Sequence, residues 1–201
     1  MSADRDSSAK TAAHGRGHAG LAPSPWIVRF APLVAPGGRV LDLAAGYGRH
    51  ARFFAGRGAQ VVAVDRDAAA LATLAGSPRI ETRVADVEDG AWPFPGERFD
   101  AIVVVNYLHR ALFTHLLAAL AGDGVLLYET FALGNAAYGK PSNPAFLLEP
   151  GELLEIARQR LVVVAFEQGH VDGERAAVIQ RLAAVAAGRS WPPRLPGDGL
   201  G

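Results

Sequence analysis

Apolar positions along the chain alternate between two periods. Short runs of Val, Ile, Leu and Ala occur at "RVLDLA" (39–44), "QVVAVD" (60–65), "RIETRVAD" (79–86), "FDAIVVVN" (99–106) and "GVLLYETF" (124–131). Between them lie stretches with helical spacing: "GRHARFFAGRG", "DAAALATLA", and the stripe Leu108, Ala111, Leu112, His115, Leu116, Ala119, Leu120. Runs that are apolar throughout predict strands buried on both faces, and the spaced runs predict amphipathic helices. Upstream, Pro25 starts a helix whose apolar face is Trp26, Ile27, Phe30 and Leu33, and "PGG" stops it. Downstream, "EPGELLEIARQR" predicts a helix with acids in its first turn and bases in its last. "RLVVVAFEQG" and "ERAAVIQRLAAVA" predict a closing pair of strands joined through "HVDG".

Strands that alternate with helices predict an α/β fold, a mostly parallel sheet with helices on both faces. Residues 1–22 lack periodicity and read as a disordered leader, 23–187 as one domain, and 188–201 as a flexible Pro/Gly-rich tail. Ligands in such sheets sit beyond the carboxyl ends of the strands, where the strand order reverses. Asp42, Asp65, Asp86, Asn106 and Glu129 all fall at those ends.

Composition narrows the function classes. The chain has 201 residues, half of them apolar, with 20 basic and 20 acidic side chains. A balanced charge gives no drive toward nucleic acid or an anionic membrane. There is no cysteine, and the six histidines are scattered, so no metal site is expected. No apolar run approaches a membrane span of about 20 residues, and the N-terminus has no signal-peptide core, so a cytoplasmic protein is expected.

The chemistry concentrates in "LDLAAGYGRHARFF" (41–54). Gly46 and Gly48 remove Cβ where backbone passes close to a ligand or takes positive φ. With Ala51 they fit G-x-G-x-x-A, a dinucleotide pattern that an ordinary strand-to-helix turn also satisfies. Asp65 follows Gly46 by 19 residues at the end of the next strand, and a carboxylate there suits the hydroxyls of a ribose. That serves a nicotinamide dinucleotide and S-adenosylmethionine equally. Asp42 separates them, because a carboxylate so near would repel a pyrophosphate and attract an amino group and a sulfonium. Asp86 and Val87 offer a carboxylate and a backbone N–H to adenine.

The series "VLDLAAGYGRHARFFAGRGAQVVAVDRD", "VADVED" and "FDAIVVVNYLHR" resembles class I S-adenosylmethionine-dependent methyltransferases. "YETFALGNAAYGKPSNPAFLLEPGELL" is similar to small bacterial members grouped with the tellurite-resistance methyltransferases. The resemblance implies a Rossmann-like sheet of seven strands with an antiparallel last strand, and S-adenosyl-L-methionine as cofactor. It implies that Asp42, Ala44, Gly46 and Gly48 hold the methionine moiety, Asp65 and Arg66 the ribose, and Asp86 and Val87 the adenine. Asn106 then faces the cofactor near the transferred methyl. With Gly46 and Gly48 read as the first two glycines of D-x-G-x-G-x-G, His50 replaces the third.

Candidates around the acceptor follow the fourth and fifth strands. His109 is a general base or a helix-start residue, and Tyr107 an aromatic wall or a core residue. Arg110 orients an anionic substrate or is simply solvated. Glu129, Phe131 and Tyr138 belong to the long segment after the fifth strand, which is a lid or substrate wall, or a surface excursion pinned by prolines. Trp26 and Arg29 close the other side of the pocket, or Trp26 packs in the core. The N-P-P-Y/F signature of amino-group methylation on DNA or glutamine is absent, and no basic extension marks RNA binding. A small acceptor is expected: a metabolite, a thiol, or an oxyanion such as tellurite. A nicotinamide-dependent oxidoreductase and a non-catalytic protein that binds S-adenosylmethionine or its demethylated product are the competing readings.

Overall fold

The computed structural model describes residues 21–89, 91–158, 160–172 and 176–195. The leader expected at 1–22 lies outside the described residues except for Leu21 and Ala22; of the tail expected at 188–201, residues 196–201 lie outside them, while Arg189 donates to the carbonyls of Asp123 and Leu33.

Seven strands form one sheet: β1 (Arg39–Leu43), β2 (Gln60–Asp65), β3 (Ile80–Val84), β4 (Phe99–Val105), β5 (Leu120–Phe131), β6 (Leu161–Val171) and β7 (Ala177–Ala186). Their order is β3-β2-β1-β4-β5-β7-β6. β1 to β5 pair in parallel, and β7 runs antiparallel to both β5 and β6. This is the Rossmann-like sheet with an antiparallel last strand that the sequence led us to expect. The chain leaves β1 toward β2 and β3, then crosses back to β4 on the other side of β1. The order therefore reverses between β1 and β4, whose carboxyl ends are Leu43 and Val105.

Five helices cover the sheet: α1 (Pro25–Phe30), α2 (Arg49–Gly56), α3 (Ala68–Ala72), α4 (Phe113–Ala119) and α5 (Glu152–Ala157). Alternate residues of a strand point to opposite faces, so the core has two halves. Leu41, Leu43, Ile102 and Val104 pack with Phe94, Phe99, Leu116 and Leu153 on one face. Val40, Ala63 and Val103 pack with Trp26, Ile27, Phe30 and Phe54 on the other. By the same alternation Asp42 points to the α1–α2 face. The Ser24 hydroxyl accepts from Trp26 N at 3.2 Å and starts α1, which buries Trp26, Ile27 and Phe30. Each such side chain contributes roughly 1.5–3 kcal/mol on burial. Trp26 is therefore a core residue, 2% exposed, its ring beneath the Arg181 guanidinium.

Two boundaries differ from the sequence pattern. The third helix covers only Ala68–Ala72, capped by the Asp67 carboxylate, which accepts from Ala69 N and Ala70 N. Leu120 ends the helical stripe yet already pairs with Phe99 as the first residue of β5. Register shifts just after this pair. At Gly124 a Cβ would lie 3.1 Å from the carbonyl of Phe99 and from the backbone of Ala121, so glycine eases a tight passage of the strand there. Among the described residues no helix is long and apolar enough to cross a membrane.

Candidate functional site

A cavity of about 500 Å³ opens over the carboxyl ends of the parallel strands. This lies within the range of small-molecule sites. Its lining follows the strand order. Asp86, Val87 and Glu88 come after β3, Asp65 and Arg66 from β2, Ala44 from β1, Asn106, Tyr107 and Leu108 after β4, and Thr130 and Phe131 from β5. Pro141 and Phe146, from the segment between β5 and α5, complete it.

The turn after β1 is shaped by left-handed backbone. Gly46 (φ 52) and Gly48 (φ 72) both adopt it, and so does Ala44 (φ 55). This corrects the glycine register. Counted from Asp42, the glycine positions of D-x-G-x-G-x-G are 44, 46 and 48. The departure is thus Ala44, a non-glycine residue in the conformation glycine favours, and not His50. Asn106 (φ 59) repeats that conformation at the end of β4. Two left-handed non-glycine residues therefore flank the point where strand order reverses, each storing on the order of 1–2 kcal/mol of strain. The two glycines do different work. A Cβ on Gly48 would meet the Leu74 side chain at 2.5 Å, whereas a Cβ on Gly46 would meet nothing within 4 Å. Gly48 lets α2 pack, and Gly46 faces open space.

The carboxylates hold this backbone in place. Asp65 accepts from Gly46 N at 2.7 Å and from Asp67 N at 2.9 Å, one bond on each oxygen. A carboxylate has about four lone-pair sites, so both oxygens retain a free one. Asp86 accepts from Glu88 N at 2.9 Å and lies 3.9 Å from the Arg66 guanidinium. Tyr107 donates to Glu88 at 3.0 Å. Burial, and then Glu88, push the Tyr107 phenol well above its usual range. It therefore stays a neutral hydroxyl at any working pH.

Asp42 lies beneath the turn, 2% exposed, and its Oδ2 has no partner in the protein. Burial pushes its carboxyl up to about 7, against the opposing pull of the Ala51 N–H and the Arg49 guanidinium. Arg49 stands between two acids, Asp42 and Glu129, and burial lowers its own pKa. Glu129 also faces Arg181 at 3.7 Å, and Arg181 pairs with Glu167. His50 is buried in α2, where its Nε2 accepts from Ser24 N at 3.1 Å. Burial, then Arg49, depress it to about 3. It is a neutral fastener between α1 and α2.

These shifts set a pH signature. Folded Asp42 keeps a proton that the unfolded chain releases, so its contribution to stability falls as pH rises from 3.8 to about 7. His50 acts in the opposite sense: its contribution is complete above 6.5 and is lost as pH falls toward about 3. The Asp42→Asn variant lacks the first effect. Its stability relative to the parent is expected to climb from about pH 4 to pH 7 and then level off, read from urea midpoints at fixed ionic strength. A flat difference would show that Asp42 titrates normally.

The structure gathers Ala44, Asp65, Arg66, Asp86, Val87, Asn106, Tyr107 and Phe131 on one cavity. It does not bring the other candidates there: Asp42, Gly46 and Gly48 lie outside the lining, in and beneath the turn that Ala44 begins, with Asp42 2% exposed. Glu129 faces Arg49 and Arg181 and lies outside the lining. His109 precedes the 3-10 turn Arg110–Leu112, half-buried and outside the lining. Tyr138, 49% exposed, stacks on His170 with ring centres 4.5 Å apart. Arg110 has its donors engaged by Glu152 and by the carbonyls of Ala145 and Leu147, all at 2.8–2.9 Å. Glu88, Thr130, Pro141 and Phe146 are lining residues the sequence did not single out. Glu88 stands two residues after Asp86 and carries the only local signal. The others arrive through contacts distant in sequence.

Comparison with known proteins places this geometry. A methyltransferase domain family matches residues 40–124. The demethylmenaquinone methyltransferase of Clavibacter sepedonicus is 41% identical over 85 residues, 39% of this chain and 34% of that protein. The chain thus spans about a third of the length of that relative. TehB from Haemophilus influenzae superposes with a TM-score of 0.69 at 18% identity, covering 82% of this chain and 62% of that one. A TehB-like S-adenosylmethionine-dependent methyltransferase from Corynebacterium glutamicum gives 0.61 at 18% identity, over 89% and 96%. An S-adenosylmethionine-dependent methyltransferase from Methanosarcina mazei gives 0.65 at 14% identity, over 83% and 99%. At these identities the solved structures establish the fold.

Proposed function

We propose that this chain, a class I S-adenosylmethionine-dependent methyltransferase by its fold and by its residues 40–124, transfers a methyl group to a small-molecule acceptor. The observation that carries the reading is the run of acids along the strand ends, with Asp42 buried beneath it and one oxygen unpartnered. That orphaned oxygen fits a ligand that brings a positive charge, and the open space at Gly46 fits a ligand that lies against the turn. A pyrophosphate brings no positive charge to that oxygen.

Asp42 and the backbone of Ala44, Gly46 and Gly48 would hold the methionine moiety. Asp65, with Arg66 beside it, would take the ribose hydroxyls on its two free lone pairs. Asp86 and Val87 would bind adenine, and Asn106 would face the transferred group. When bound, S-adenosylmethionine supplies an electrophilic methyl on a sulfonium, which accepts a lone pair from the acceptor as the C–S bonding pair returns to sulfur. The protein's part is to align the acceptor and exclude water. Tyr107 serves as a wall with its hydroxyl tied to Glu88, and among the described residues no histidine lines the cavity to act as a base. The name of the Clavibacter sepedonicus relative supports a small organic acceptor.

Incubation with methyl-labelled S-adenosylmethionine and a panel of small acceptors tests the assignment. We expect S-adenosylhomocysteine to form in step with a labelled product. Tight cofactor binding with no turnover across acceptor classes would favour a sensor, and oxidation of a nicotinamide nucleotide would favour a dehydrogenase.

A further inference from the structure

The cavity changes character along its length. The carboxyl ends of the strands lie side by side in the order β3, β2, β1, β4, β5, and Asn106 N donates to the Glu129 carbonyl where β4 meets β5. The acids Asp65, Asp86 and Glu88 occupy the β2–β3 end. The β5 end is lined by Phe131, Pro141 and Phe146, with Leu108 beside them, and its polar side chains, Thr130 and the adjoining Asn106 and Tyr107, are uncharged. Resting on the cofactor assignment above, a cofactor laid from β3 to β1 leaves this end for the acceptor.

We infer that the β5 end is an acceptor subsite for an uncharged, ring-bearing organic molecule and not for an oxyanion. Three observations carry this. First, Phe146 is 49% exposed although it is a large apolar side chain, and it lines the cavity. An apolar ligand would bury it. Second, the Phe146 wall is built in advance. Arg110 donates to the carbonyls of Ala145 and Leu147, the residues on either side of Phe146, and is itself fixed by Glu152. Asn135, 2% exposed, donates to the Pro141 carbonyl at 3.0 Å and accepts from Val178 N at 3.1 Å, which fastens the other half of the segment to β7. A wall already ordered binds a flat ligand with little further ordering. Third, the charge is wrong for an anion. The lining carries three carboxylates against one guanidinium, Arg66, and that guanidinium lies beside Asp86 at the opposite end. Arg110, two residues after Leu108, is turned to Glu152 and the backbone, so it positions Phe146 and does not meet the acceptor. Lys140 adjoins Pro141 but lies outside the lining and is exposed.

The test uses the full chain saturated with S-adenosylhomocysteine. 2-Naphthol and sodium tellurite are titrated separately into the complex by calorimetry. We expect 2-naphthol to bind saturably and tellurite not to bind. Phe146→Ala should weaken 2-naphthol about tenfold with S-adenosylhomocysteine affinity unchanged. Arg110→Ala should weaken it likewise, and Arg110→Lys should fail to rescue, because one ammonium cannot reach both carbonyls and Glu152 together. Absence of 2-naphthol binding, or binding equal in the Phe146→Ala variant, overturns the subsite. Tellurite binding in place of 2-naphthol overturns the ligand class. Failure of S-adenosylhomocysteine itself to bind overturns the cofactor assignment, and the division of the cavity falls with it.

Discussion

Replacing Asp65 by alanine is expected to weaken S-adenosylmethionine binding between ten- and a hundredfold. A hydrogen bond to a charged acceptor is worth roughly 1.5–3 kcal/mol, and each 1.4 kcal/mol is about a factor of ten. Asp65 has a second role that adds to the loss. Its carboxylate fixes Gly46 N and Asp67 N, so the variant releases the turn that faces the ligand as well as the ribose. Asp65→Asn separates these contributions. Asparagine keeps one acceptor oxygen but turns an NH₂ toward an N–H that it cannot accept, so it should fall between the parent and alanine. Asp67→Ala is the control. Asp67 caps α3 and lies outside the cavity, so its loss should cost about 0.5–2 kcal/mol of stability and leave affinity within a factor of two or so. Equal affinity in the parent and Asp65→Ala would mean that the ribose sits elsewhere.

The largest effect on stability is expected at Gly48. Alanine there must adopt φ 72, at roughly 1–2 kcal/mol. It must also displace Leu74, whose side-chain carbons lie 2.5–2.9 Å from the new Cβ. Overpacking of this kind costs roughly 1–3 kcal/mol. The sum, about 2–5 kcal/mol, corresponds to a fall in Tm of roughly 5–15 °C for a chain of this size. Gly46→Ala is the matching contrast. It carries similar backbone strain, but its Cβ meets nothing in the protein. Its Tm should fall by only a few degrees, while S-adenosylmethionine affinity falls more than in Gly48→Ala measured at a temperature where both are folded. Calorimetric melting with and without cofactor distinguishes the two variants. Similar Tm losses would show that Leu74 yields without cost.

Why some of this was legible in the sequence, and some not, follows from the range of the interactions involved. The inner parallel strands could be read because both their faces are buried, so Val61–Val64 and Ala101–Val105 are apolar without interruption, whereas the edge strand β3 is largely exposed. The strand ends could be read because an acid in or after an apolar run is conspicuous: Asp42, Asp65 and Asp86 all stand out. The glycine register follows from counting D-x-G-x-G-x-G from Asp42, which puts Ala44 at the first glycine position; what the sequence does not show is that alanine there adopts positive φ. The β5 end of the cavity was the least legible. Arg110 meets Glu152 across 42 residues and Asn135 meets Val178 across 43, and nothing near either residue encodes its partner. Arg110 and Glu129 were singled out as charged residues beside a ligand, but both are satisfied by other protein groups. His109 was singled out for its place after β4, yet the half-buried side chain stays outside the lining.

The central claim is that the cavity is built for an adenosyl sulfonium carrying an amino acid, with Asp42 beneath it. Calorimetry of the full chain against S-adenosylmethionine, S-adenosylhomocysteine, NAD and NADP tests it most directly. We predict micromolar binding of the first two and none of the nicotinamide nucleotides. Binding of NAD or NADP with no response to S-adenosylmethionine would contradict the reading of Asp42 and the proposed function with it.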